Sequence, residues 1–160
     1  MSLTVHHYFA YGSNMNPGRV RQRKMSFESA DSGHLFDYSL RFNKRSLKYP
    51  GAAAANVMAV AKGVTEGVVY RLVDPLQIEM MDPYEGYPVR YTRIALPIVT
   101  SAGIVDAWVY IANKDHVTEG LAPARWYLNH LLAGRDYLSG PYFESLSQTK
   151  CLHDSDIEPV

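Results

Sequence analysis

Apolar runs that end in turn-forming residues define the predicted strands of this chain. A short apolar and aromatic run over residues 5–11 predicts a buried strand that leads into a turn at Gly12. Residues 66–73 are rich in valine and tyrosine, which is typical of a strand, and residues 92–99 alternate as a strand requires. Residues 104–112 are apolar on both faces, which predicts a strand in the interior of a sheet or barrel.

Prolines that follow good capping residues mark the predicted helix starts. Asn16 before Pro17 and Asp74 before Pro75 each combine a side chain that can accept hydrogen bonds from free amides with a residue that suits the first helical position. The predicted helices cover residues 18–24, 74 to about 81, 123 to about 134, and a last segment that begins at Pro141. We interpret the basic side chains of the first helix as facing mostly solvent.

Two neighbouring segments are harder to assign. The alanine-rich residues 51–61 fit either a helix or a buried strand of small residues, and the pattern favours neither. A strand predicted over 35–42 runs into a basic segment with Lys44, Arg45 and Lys48. We interpret that segment as a solvated loop.

The composition indicates a globular chain with balanced charge. Of 160 residues, 47% are hydrophobic and 20% are charged, so we expect one domain over residues 1–160. Sixteen basic side chains balance sixteen acidic ones, and no apolar run approaches the ~18 residues of a membrane span. We therefore expect neither a nucleic acid nor a membrane as partner.

Cysteine and histidine usage narrows the chemistry further. Cys151 is the one cysteine and cannot form an internal disulfide, so a cytoplasmic location is expected, with a mobile tail from about residue 150. The six histidines are scattered without metal-ligand spacing, so we expect no metal and no other cofactor. No pattern in the sequence addresses the oligomeric state.

The turn Tyr11-Gly12-Ser13-Asn14 is a candidate anion site. A strand that ends in a glycine-containing turn before a helix can aim several backbone N–H groups at one point, where a substrate carboxylate could bind. Gly12 lacks a Cβ atom and would allow a close approach. The alternative is a turn that only satisfies its own capping requirements.

Glu85 is the candidate acid–base residue. We predict that it lies in a short loop between a helix and a strand, with tyrosine and proline side chains around it. Such walls would disfavour the charged carboxylate and raise its pKa toward neutrality, where proton transfer is most effective. The alternative is a solvated loop glutamate. Asp82, in the same segment, is better explained as a turn former.

Five segments in this order resemble the γ-glutamylcyclotransferase family, which includes the AIG2-like proteins and the γ-glutamylamine cyclotransferases. They are the block over residues 8–15, Gly67-Val68-Val69-Tyr70, the acidic segment over 82–86, Ala107-Trp108-Val109-Tyr110, and the C-terminal part with Tyr127 and Tyr142. The resemblance covers most of the chain. The first block is fairly specific, and its ordered pairing with the acidic segment is more so.

The resemblance implies a mixed α/β (α+β) fold, with a small mixed β-barrel flanked by helices. It also implies that Glu85 is the catalytic residue of an enzyme that converts a γ-glutamyl compound into 5-oxoproline and a free amine, without a cofactor. The residues that it implies for substrate binding are Tyr11, Gly12, Ser13, Asn14, Tyr127 and Tyr142. The alternative of another class is a catalytically silent protein that binds a small molecule in the same pocket.

Overall fold

The computed structural model describes residues 4–153, which form a five-stranded barrel with four α-helices. The strands are β1 (His7–Ala10), β2 (Phe27–Arg45), β3 (Ala53–Leu72), β4 (Tyr91–Thr100) and β5 (Gly103–Ala112). The helices are α1 (Pro17–Gln22), α2 (Ile78–Glu85), α3 (Arg125–Leu132) and α4 (Gly140–Ser147). Short 3-10 helices at Ser13–Met15, Pro75–Gln77, Lys114–His116 and Arg135–Tyr137 complete the chain path.

The barrel closes through its shortest strand. The strand order is β1-β3-β2-β4-β5, and β1 pairs antiparallel with β3 and parallel with β5. Tyr8 lies opposite both Tyr70 of β3 and Trp108 of β5. This mixed barrel flanked by helices confirms the α+β fold class implied by the resemblance.

A long hairpin of β2 and β3 supplies much of the barrel wall. The predicted strands at 35–42 and 66–73 lie inside these much longer strands, and the undecided segment over 51–61 belongs mostly to β3. Ala55 and Val57 of that segment are buried in the barrel core with Leu35. The alanine-rich segment is therefore mostly strand, and its small side chains allow other groups to pack closely against it.

A β-bulge near the end of β2 changes the direction of its side chains. Arg41 pairs with Asn56 and Lys44 pairs with Ala54, so β2 carries one more residue than β3 over this stretch. Because of the bulge, Asn43 and Lys44 are both buried although they are neighbours. The interpretation of Lys44 as part of a solvated loop was therefore wrong.

Helix α2 extends further than the sequence pattern indicated. The predicted Asp74 cap begins the 3-10 helix Pro75–Gln77, where its Oδ1 accepts from the Leu76 amide at 2.8 Å. Helix α2 follows directly and continues past Pro83 to Glu85. Glu85 is thus the last residue of a helix and not part of a loop. Gly86, with φ of 66°, then ends the helix in the left-handed conformation that favours glycine.

The side chain of Asp82 holds α2 on the barrel and does not form a turn. Its two carboxylate oxygens accept from Nε and Nη2 of Arg93 at 2.9 and 3.1 Å. The Tyr110 hydroxyl also donates to Oδ1 of Asp82, at 2.6 Å. These bonds explain why the helix persists through a proline near its C-terminal end.

The C-terminal segment pairs with the start of α3. The Leu152 amide donates to the carbonyl of Pro123 at 2.9 Å, and Leu152 bridges to Ala124. The segment predicted as a mobile tail from about residue 150 thus includes the paired Leu152, and its part from residue 154 on lies outside the described residues. Within residues 4–153, no helix has the length and apolar character of a membrane span.

Candidate active site

A cavity of about 170 Å³ lies where the end of β1, α1, α2, the β2–β3 hairpin and α3 meet. Six of the predicted site residues line it: Tyr11, Gly12, Ser13, Asn14, Glu85 and Tyr127. Residues from both ends of the sequence therefore share one pocket. The barrel brings them together through the pairing of β1 with β3 and β5.

Glu85 contacts the turn directly. The side-chain amide of Asn14 donates to Oε1 of Glu85 at 3.3 Å, which joins two motifs that lie 71 residues apart. Asn14 is itself fixed, since its Oδ1 accepts from Nη1 of Arg23 at 3.1 Å and its carbonyl accepts from the Tyr70 hydroxyl at 2.6 Å. The turn and the carboxyl group are thus held in one geometry.

The backbone of the turn leaves donors available for a ligand. The Met15 amide donates to the Gly12 carbonyl at 2.9 Å within the 3-10 helix. Among the described residues, the amides of Gly12, Ser13 and Asn14 donate to no protein acceptor. A Cβ atom at residue 12 would lie 3.1 Å from Cβ of Ala55 and 3.3 Å from the Tyr127 hydroxyl oxygen, so glycine fits the narrow space.

The pKa of Glu85 is raised above its ordinary value. Burial is the largest cause, and it is opposed by the positive charges of Arg23, Lys44, Arg19 and Arg90, in decreasing order. Burial outweighs the four cations. A carboxyl group with a raised pKa is suited to accept a proton and to return it.

Buried tyrosines surround the carboxyl group. Burial, together with the negative charge of Glu85, raises the pKa of Tyr8, Tyr11, Tyr91 and Tyr127. Their hydroxyls stay protonated and serve as hydrogen-bond donors, not as bases. The Tyr127 oxygen accepts from the Ala55 amide at 2.9 Å, which leaves its own proton for a ligand.

Arg19 of α1 and Arg23, the residue that caps the C-terminal end of α1, face the cavity, contrary to the expectation that they face solvent. Nε of Arg19 donates to the Ser13 hydroxyl at 3.2 Å, and Arg23 donates to Asn14. Arg21 and Lys24 are exposed as expected. The four-residue spacing of Arg19 and Arg23, which places them on one helix face, is the sequence signal that could have identified them.

Lys44 and Arg90 also line the cavity, and sequence reasoning identified neither of them. The Lys44 side chain lies over the Tyr91 ring, with Nζ 5.6 Å from its centroid. Burial, followed by the charge of Arg90, lowers the pKa of Lys44 to about 8. Within residues 4–153, no carboxylate lies within 4 Å of the charged group of either residue.

Tyr142 does not join this group. It lies on α4 and borders a separate pocket with Leu40, Phe42 and Leu146. Among residues 4–153, its buried hydroxyl has no hydrogen-bond partner. The resemblance implied a substrate-binding role for Tyr142, but the structure places it on α4 outside the cavity that holds Glu85, so we do not assign it to substrate binding.

Metal binding has no support in the part of the chain that the structure describes. No three side chains of histidine, cysteine, aspartate and glutamate come close enough there to hold an ion. The cavity itself offers one carboxylate, tyrosine hydroxyls, backbone amides and five basic side chains, those of Arg19, Arg23, Lys44, Lys48 and Arg90. This set can bind an anionic substrate and move a proton.

Comparisons with known proteins relate the chain to a described family. A family model described as gamma-glutamyl cyclotransferase, AIG2-like, matches residues 8–128. A search of curated protein sequences returned no match.

Solved structures share the fold at low sequence identity. The uncharacterized protein loc79017 from Homo sapiens is 22% identical, with a TM-score of 0.78 over 94% of this chain and 90% of that one. A gamma-glutamyl cyclotransferase is 21% identical, with a TM-score of 0.76 over 91% and 88%. A yeast gamma-glutamyl cyclotransferase specific to glutathione is 13% identical, with a TM-score of 0.64 over 88% and 93%.

Proposed function

Because the chain belongs to the AIG2-like gamma-glutamyl cyclotransferase family, we propose that it is an enzyme that converts a γ-glutamyl amine or amino acid into 5-oxoproline and a free amine. The observation that carries this proposal is the position of Glu85. Its carboxyl group is the one carboxylate among the described cavity residues, and it lies 3.3 Å from the turn residue Asn14.

The reaction takes place within one substrate molecule. The α-amine nitrogen attacks the γ-carbonyl carbon, a C–N bond forms to close the ring, and the bond from that carbon to the departing nitrogen breaks. Holding the chain folded back in the cavity accounts for much of the rate, since well-oriented intramolecular reactions reach effective molarities of about 10⁵ M or more.

Glu85 transfers the proton. The α-amine is an ammonium ion at neutral pH and cannot attack until it loses a proton, which the Glu85 carboxylate accepts. The same carboxyl group then donates that proton to the departing amine. A single acid–base residue of this kind typically contributes about 10²–10⁴-fold to the rate.

The turn supplies the binding contacts for the γ-glutamyl part. The free amides of Gly12, Ser13 and Asn14 can donate to the α-carboxylate or to the oxyanion that develops on the γ-carbonyl oxygen. Arg19 and Arg23 add positive charge beside the same turn. The raised pKa values of the surrounding tyrosines leave Glu85 as the proton acceptor.

Glu85→Gln tests the proposal. The amide keeps the shape of the side chain but cannot carry the proton, so 5-oxoproline release should fall by about 10²-fold or more while substrate binding by calorimetry changes little. Glu79→Gln, on the exposed face of the same helix, is the matched control and should keep full activity. Full activity in Glu85→Gln would contradict the assignment. If the unmodified protein binds γ-glutamyl compounds but releases no 5-oxoproline from them, the alternative of a catalytically silent binding protein is favoured.

A further inference from the structure

The four cations near Glu85 form two separate pairs. Arg19 of α1 and its C-cap residue Arg23 lie four residues apart and donate to the side chains of Ser13 and Asn14, respectively. Lys44 comes from the bulge of β2, and Arg90 precedes Tyr91, whose ring packs against Lys44. The charge of Arg90 acts on Lys44 and the charge of Arg23 acts on Arg19, and Glu85 acts on both pairs.

Within residues 4–153, the second pair has no salt-bridge partner, although the Lys44 ammonium lies over the Tyr91 ring. Lys44 is only 4% exposed, yet no carboxylate of the described residues lies within salt-bridge distance of Lys44 or Arg90. Burying an unpaired charge costs stability, so a buried lysine normally has an ion partner or a functional reason to be there. Both side chains line the cavity, where a ligand anion could fill that role.

One class of substrate carries two carboxylates, which is the number that two pairs of cations in one cavity could bind. A γ-glutamyl amino acid carries a carboxylate at each end, and the reacting carbonyl lies between them. A simple γ-glutamyl amine carries only the first carboxylate. With the first carboxylate bound at the turn beside Arg19 and Arg23, Lys44 and Arg90 remain for the second.

We propose that Lys44 and Arg90 form a second carboxylate subsite that binds the carboxylate of the departing amino acid, so that γ-glutamyl amino acids are the preferred substrates. This inference rests on the proposed cyclotransferase activity. Charge-assisted hydrogen bonds to both cations would fix the departing group and place its nitrogen within reach of Glu85.

Two substrates that differ only at this carboxylate test the subsite. In γ-glutamyl-alaninamide a neutral carboxamide replaces the terminal carboxylate of γ-glutamyl-alanine. The unmodified enzyme should prefer γ-glutamyl-alanine by about 10-fold or more in kcat/KM, since a hydrogen bond to a charged group contributes about 1.5–3 kcal/mol. Lys44→Met and Arg90→Gln should each lower this preference several-fold, mainly through the KM for γ-glutamyl-alanine.

Arg45→Gln is the matched control. Arg45 follows Lys44 in β2, but its guanidinium donates to the Thr118 hydroxyl at 3.4 Å and to the Asp115 carbonyl at 3.3 Å, outside the cavity. The Arg45→Gln variant should prefer γ-glutamyl-alanine over γ-glutamyl-alaninamide as strongly as the unmodified enzyme does. Lys44→Arg, which keeps the charge, should retain more of the preference than Lys44→Met.

The outcomes separate this inference from the proposed function. If the unmodified enzyme releases 5-oxoproline equally well from both substrates, or if neither Lys44→Met nor Arg90→Gln changes the ratio, the subsite is wrong and the cyclotransferase activity stands. If no γ-glutamyl compound yields 5-oxoproline, both proposals are wrong. Lys44 and Arg90 lie on different segments of the chain. If one of the two variants fails to fold, the substrate preference of the other still tests the subsite.

Discussion

Glu85 is a residue whose pKa reflects two opposing effects. Burial raises the pKa, and four nearby cations lower it, with Arg23 as the strongest of them. The proposed reaction needs the carboxylate form of Glu85 at its first step, because that form accepts the proton of the ammonium group. Activity should therefore fall with decreasing pH at a higher pH than an ordinary glutamate would give.

Removing one of these cations should move the pH profile. Arg23→Gln takes away the largest effect that lowers the Glu85 pKa, so the pKa rises further and the acid limb of kcat/KM shifts to higher pH. Arg21→Gln removes the same charge from the exposed face of α1 and should leave the limb in place. A shift of the limb to lower pH in Arg23→Gln would contradict the electrostatic account. Rates at a series of pH values measure the effect.

Lys44 contributes to the proposed site at a cost in stability. Its pKa is about 8 in the folded chain and near 10.5 in the unfolded chain, so the unfolded state holds the proton more tightly. The cost of burying the charge is complete below pH 8 and disappears as the pH rises from about 8 to above 10.5. A residue that lowers stability in this way is typical of a functional site.

Lys44→Met should therefore raise the free energy of unfolding. Methionine keeps much of the length of the side chain and removes the buried charge, so a gain of about 1–3 kcal/mol is expected at pH 7. Urea unfolding at pH 7 measures it. The gain should shrink when unfolding is repeated at high pH, where Lys44 is neutral in the folded protein. A loss of stability at pH 7 would show that the ammonium group has a stabilising partner.

At the scale of the elements, helix α2 positions Glu85 through its contact with the barrel. Asp82 forms a bidentate ion pair with Arg93, whose guanidinium lies 4.6 Å from the Tyr87 ring centroid and 4.4 Å from that of Trp108. Glu85 follows less than one turn later. Breaking the bonds of Asp82 should therefore displace the proposed acid–base residue Glu85 without removing a contact to the substrate.

Asp82→Asn tests these bonds. Its side chain and that of Arg93 are each only 14% exposed, so breaking the pair should cost on the order of 3 kcal/mol of unfolding free energy and lower kcat. Glu28→Gln is the control, because Glu28 and its partner Arg71 have side chains that are 53% and 55% exposed, respectively. Breaking this exposed pair should lower the free energy of unfolding by less than about 1 kcal/mol. Urea unfolding and 5-oxoproline release measure both variants. Equal effects would mean that the Asp82 pair does not anchor α2.

The same elements show how far the sequence pattern reaches. The alternating and apolar runs predict β4 and β5 almost to their ends, because adjacent strands with a tight turn leave a clear local pattern. The sequence pattern does not predict the end of α2, since Pro83 normally indicates the end of a helix. The partners of Asp82, which are Arg93 and Tyr110, lie on β4 and β5 and are not part of the local pattern. The bulge before Lys44 is likewise invisible, because it depends on the register with β3.

At the scale of the whole molecule, barrel closure creates the candidate site. The turn after β1 meets the end of α2 only because β1 pairs with both β3 and β5. Glu85, the turn residues and Tyr127 could be named from the sequence because they belong to motifs that resemble a known family. Arg90 and Lys44 could not, since their place in the cavity depends on packing between distant segments.

The pairing of Leu152 with the segment before α3 has a practical consequence for handling the protein. The Leu152 amide donates to the carbonyl of Pro123, two residues before the start of α3, and the Tyr127 oxygen of α3 accepts from the Ala55 amide at the cavity wall. Leu152 therefore supports the segment that leads into the wall of the candidate site. A truncated protein that ends before Leu152, made to improve crystals or yield, would lose this contact.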